Sequence, residues 1–158
     1  MVLDFVLQAT TDDKLSFVAQ TSAGALHKHI SILGGQLKVV YQFPDNLHGQ
    51  FSTEMNLAMP SCDGPAGRFV LGDQVAGGFG QPLTVESMDQ IRLEDEVLGG
   101  SVSLNLSQPA RLTAHPLFTV SQSEAGFEKI MQAVTLQLDW QLPTGENQME
   151  LSLIISPV

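Results

Sequence analysis

The sequence holds one cysteine, one tryptophan, one tyrosine and only seven basic residues. Each scarcity removes a class of protein. A lone cysteine, Cys62, permits no internal disulfide and cannot build a cysteine-rich zinc centre. Seven cations against seventeen acids leave a formal charge of −10, which argues against a surface that tracks phosphates along nucleic acid. Aromatics do not interleave with basic residues as a base-stacking platform requires. No apolar run approaches the ~20 residues of a membrane-spanning helix, so no membrane span is expected. Residues Met1 to Gln8 lack a basic leader region, and Asp4 interrupts their apolar run. That favours a cytoplasmic setting, or an extracellular or particle-associated one if the numbering begins at a mature chain.

What the sequence has in abundance is alternation. Ser101-Val102-Ser103-Leu104-Asn105-Leu106-Ser107 places three aliphatic side chains on one face of a strand and small polar ones on the other. Val134, Leu136, Leu138, Trp140 and Leu142 repeat the pattern, as do Met149, Leu151, Leu153 and Ile155 beyond Pro143-Thr144-Gly145-Glu146-Asn147. Two alternating runs about a short turn read as a hairpin. Further strands are expected at 3–8, 15–20, 37–43, 50–59, 68–71, 83–88, 91–97 and 117–120. Two segments carry helical spacing instead: Leu26, His29, Ile30 and Leu33 before Gly34-Gly35, and Phe127, Ile130, Met131 and Val134 after Ser121-Gln122-Ser123-Glu124. The predicted fold is mainly β, an antiparallel β-sandwich or barrel of about 8–10 short strands with one or two short helices. A single β-rich domain over residues 1–158 is expected, with a long irregular loop around 60–82.

Chemistry is sparse. No catalytic motif and no cofactor motif emerges, so no cofactor is expected. His27 and His29 chelate a metal only if their segment is a strand, because on a helix positions i and i+2 diverge by about 200°. His115 joins them only if the fold brings it close. His27-Lys28-His29 resembles the opening of a cupin metal site, but Ile30-Ser31-Ile32-Leu33 follows where that family carries a glutamate. Glu94-Asp95-Glu96, the densest acidic run, reads as a solvated strand edge or, failing that, a hard-cation site. Cys62 has no basic neighbour to activate it, and Asp63 beside it opposes ionisation.

Few ionisable residues, surfaces rich in Ser, Thr and Gln, and alternating strands at both ends point to a non-catalytic subunit of a pilus-like, virion or secretion-particle assembly. The closing run, 146–155, resembles the final strand of fimbrial subunits over a dozen residues, mostly in its alternation. Protein partners or self-association follow from that reading. Two alternatives remain open: a small β-barrel around an apolar ligand, and a metal-dependent enzyme using His27 and His29.

Overall fold

The computed structural model describes residues 2–59, 61, 66–123, 126–143 and 147–157. Among them are eleven strands and no helix: β1 (Val6–Thr10), β2 (Lys14–Thr21), β3 (Gly24–Leu33), β4 (Gln36–Gln42), β5 (Gly49–Leu57), β6 (Gly67–Leu71), β7 (Gln74–Gly78), β8 (Leu83–Asp95), β9 (Gly100–Ser123), β10 (Gly126–Leu142) and β11 (Gln148–Pro157). All pairings are antiparallel. The main order is β1-β2-β3-β4-β11-β9-β8-β6-β7, while β10 pairs with β9 on one side and β5 on the other.

The 24-residue β9 joins two layers. Its first part, through Leu106, pairs with β11; from Arg111 onward it pairs with β10. Pro109 falls at the change of partner, where a residue without an N–H is tolerated. The layers then fold onto each other. Tyr41 on β4 meets Phe51 on the unpaired neighbour β5, edge to face at 4.9 Å between ring centroids, and Phe43 meets the same ring at 5.0 Å. The Tyr41 hydroxyl reaches Thr53 Oγ1 at 2.9 Å. Leu26, Leu104, Leu112, Leu136 and Leu138 are fully buried between the layers, as alternation places them. The sheet does not close, so the architecture is sandwich-like.

Both expected helices are strands. In β3 the register pairs Leu26, Lys28, Ile30 and Ile32 in one row and His27, His29 and Ser31 in the other. Lys28 in the apolar row breaks the alternation in the sequence, which left the fortuitous helical spacing as the visible signal. Two physical cues favour the strand: the β-branched Ile30 and Ile32, and Gly34-Gly35. Those glycines have φ of 59° and 79° and link Leu33 directly to Gln36. Positive φ at both central residues is the requirement of a two-residue type I′ hairpin, not of a helix stop. Thr21 Oγ1 donates to Gly24 O at 2.7 Å inside the β2–β3 turn.

The second expected helix lies in β10, where Phe127, Ile130 and Met131 pair with Gln122, Thr119 and Phe118. A register shift between Met131 and Ala133 mixes the two faces, and that mixing imitated a helical period. Glu124, in the segment ahead of that expected helix, lies outside the described residues. The expected hairpin of the last two strands is also corrected. β10 pairs with β9 and β5, whereas β11 pairs with β4 and β9. The two runs enter different layers. Between 60 and 82, where one short strand was expected, β6 and β7 form a hairpin.

Candidate functional site

An open cleft of about 960 Å³ lies where β3 and β4 of one layer approach β5 of the other. Its floor comes from the inward rows: Leu26 and Lys28 from β3, Tyr41 from β4, Phe51 and Thr53 from β5. Leu3 and Phe5, ahead of β1, close one end. Among the described residues β5 bonds only to β10, so its other side is an edge, and the cleft continues around it onto Gln50, Ser52, Glu54 and Gln137. An apolar floor thus meets a rim of amides, hydroxyls and one carboxylate. The volume is that of a small-molecule site.

Lys28 is the unusual member. Its ammonium lies 5.5 Å from the Phe5 ring centroid and 5.6 Å from that of Tyr41. Burial pushes its pKa down from the ordinary value. The electron-rich ring faces offset part of that desolvation. Burial also raises the pKa of Tyr41, partly offset by the Thr53 hydrogen bond.

The outward row beside the rim is densely bonded. Asp139 on β10 is only 9% exposed although it faces away from the core. It accepts from Ser52 Oγ and, at both oxygens, from Gln137 Nε2 at 3.1 Å. Burial pushes its carboxyl up, but bonds from Ser52, Gln137 and Gln50, with the Arg111 charge, hold it below the usual carboxylate value. Thr135 donates to Asn56 Oδ1 across the same strand pair.

The histidines fare differently from either expectation. β3 being a strand, His27 and His29 leave one face with rings parallel to within 6° and 6.4 Å apart. His29 Nδ1 lies 3.0 Å from Ser16 Oγ. Their cross-strand neighbours are Val18 and Gln42, and Ser16 and Val40. His115 is paired with Thr135 in the other layer and does not join them. Among the described residues no group of three or more His, Cys, Asp or Glu is arranged to hold a metal ion.

The acidic run is no solvated edge. Asp95 is fully buried, and β8 is flanked by β6 and β9. Glu94 binds Arg68 at 2.6 Å and Arg92 at 2.8 Å, and Glu96 binds Arg68 at 3.2 Å. Hydrogen bonds from Arg68 and then Arg92 hold the Glu94 carboxyl below its ordinary pKa. These groups tie β6 to β8. Cys62 lies outside the described residues.

A model of the alpha-amylase/4-alpha-glucanotransferase C-terminal family matches residues 2–153. The chain belongs to that family. It overturns the expectation of a pilus-like, virion or secretion-particle subunit, since the family is one of carbohydrate-active enzymes. Alternating strands at the termini, which carried that expectation, pair within the chain: β11 is flanked by β4 and β9. His27, His29 and His115 do not line the cleft, whereas His48 does.

Solved structures share the fold. A 4-alpha-glucanotransferase from Thermococcus litoralis matches with a TM-score of 0.61 at 19% identity, over 98% of this chain and 22% of that one. HI1317 matches with a TM-score of 0.61 at 8% identity, over 96% and 65%. YeaD from Salmonella typhimurium matches with a TM-score of 0.56 at 12% identity, over 98% and 65%. The chain thus spans about a fifth of the glucanotransferase and just under two thirds of the others. No curated protein matches by sequence. Among the described residues no helix is long and apolar enough to cross a membrane.

Sequence reasoning missed Lys28, Tyr41, Phe51 and Thr53 as a group. The Gly34-Gly35 hairpin signal was the cue that would have placed Lys28 on the inner row.

Proposed function

We propose that this chain is the saccharide-binding β-sandwich of a carbohydrate-active enzyme, and that the β3–β4–β5 cleft receives the sugar. The observation that carries this reading is the family match over residues 2–153. The chemistry of the cleft supports it. A pyranose ring has an apolar C–H face and a girdle of hydroxyls. Phe5 and Leu26 suit the first, and Gln50, Thr53, Glu54 and Gln137 the second. Among the described lining residues Glu54 is the one carboxylate. Cleaving or transferring a glycosidic bond ordinarily takes two carboxylates flanking it. Asp139, nearby on the outward row, already has both oxygens engaged. The domain therefore binds, and bond-breaking belongs to another part of such an enzyme.

Calorimetric titration with maltotriose and maltohexaose tests this. Saturable binding is expected, weakened several-fold by Glu54→Gln, which keeps the shape but removes the charge that sugar hydroxyls donate to. Absence of saturable binding by either oligosaccharide would refute it.

A further inference from the structure

Of the seven cations, four are held by carboxylates. Lys38 binds Glu150, Arg68 binds Glu94 and Glu96, Arg92 binds Glu94, and Arg111 binds Glu86. Lys129 lies over the Phe118 ring at 3.9 Å, and Lys14 is exposed beside the β1–β2 turn. Lys28 differs from all of them. It is half-buried in the cleft, between two aromatic rings, and among the described residues no carboxylate forms an ion pair with it. A chain with seventeen acids had ample means to neutralise it. Burial alone displaces its titration, with no carboxylate opposing. Glu54, on the exposed outward row, is occupied by Asn56 Nδ2 at 3.1 Å.

A desolvated cation without a counter-ion is costly, and a ligand anion that supplied the missing charge would bind with a charge-assisted hydrogen bond. We infer that the cleft takes an anionic saccharide, one bearing a carboxylate or phosphate, with that group against the Lys28 ammonium. This rests on the saccharide reading and adds the charge of the ligand to it. The ring pair around Lys28 keeps the ammonium in place before the ligand arrives, so little side-chain ordering accompanies binding.

The test compares glucose, glucuronate, glucose 6-phosphate and inorganic phosphate by calorimetry on the whole chain. Glucuronate or glucose 6-phosphate should bind at least about tenfold more tightly than glucose, the worth of one charge-assisted hydrogen bond. The advantage should shrink as salt is raised. Lys28→Met should abolish the gap between the anionic sugars and glucose, and Lys28→Arg should retain it. Thermal melting checks that Lys28→Met folds; if it does not, the salt series and Lys28→Arg on the folded protein still decide.

Equal affinity for glucose and both anionic sugars overturns the inference and leaves the saccharide reading standing. So does a gap that survives in Lys28→Met. Binding of inorganic phosphate with no requirement for a sugar ring overturns both.

Discussion

Asp95→Asn should destabilise the protein by about 2 kcal/mol, although the residue is remote from the cleft and the change is isosteric. The wild-type carboxylate is fully buried and accepts four hydrogen bonds. Oδ1 takes Ser61 Oγ at 2.6 Å, Val97 N at 3.0 Å and Leu98 N at 3.1 Å, and Oδ2 takes Ser61 N at 3.3 Å. An amide puts an N–H donor in place of one of those acceptors, facing another donor, and removes the charge that strengthens the rest. Bonds to a charged group are worth about 1.5–3 kcal/mol each, and here one is lost while the others weaken. For a domain of this size the loss corresponds to about 4–8 °C in Tm.

The pH dependence separates this cause from a packing defect. Burial raises the Asp95 carboxyl, but bonds from Ser61, Leu98 and Val97 outweigh it and the pKa lies below the ordinary 3.8. A folded-state pKa below the unfolded one contributes stability that is complete above the unfolded value and is lost as pH falls through the folded value. The gap between wild type and Asp95→Asn should therefore be full at neutral pH and narrow below about pH 4. Trp140 offers the probe: it is the single tryptophan, 5% exposed, with Nε1 donating to Gln108 O at 3.2 Å. Its emission should shift red as the core opens. Coincident melting curves at pH 7, or a gap unchanged down to about pH 3, would refute the reasoning.

Gly67→Ala should destabilise by about 1–3 kcal/mol in urea titrations, because the added Cβ collides with Ser61 O and meets Phe79 Cδ2 at 2.6 Å. Gly77→Ala, with nothing within 4 Å, should stay close to wild type; equal costs for the two would contradict this packing. Tyr41, as the single tyrosine, should ionise above its ordinary 10.0 in the folded protein and near that value in denaturant, read by ultraviolet titration. Matching midpoints in the two states would show the ring to be solvated.

Much of the fold was legible because strand alternation is a local property of the backbone. Leu104 and Leu106, Leu136 and Leu138, and Met149 and Leu151 are inside as their spacing required. Which strand lies beside which was not legible. Alternation assigns a side chain to a face without naming the neighbour, so the runs ending at Leu142 and beginning at Gln148 read as a hairpin although they pair in different layers. Lys28 and Asp95 show the same limit for charge. Each is ionisable and so reads from sequence as solvent-facing, until aromatic rings or hydrogen-bond donors from distant segments make burial tolerable.

The sequence by itself determined an acidic, antiparallel β protein with one apolar face per strand, because composition and period-two patterning are properties of the chain alone. Tertiary structure decided that the histidine pair faces outward while Lys28 faces a cleft. It also decided that Tyr41 and Phe51, ten residues apart in sequence, meet across two layers. Those outcomes depend on how β9 hands the chain from one layer to the other, a long-range arrangement that no local spacing encodes.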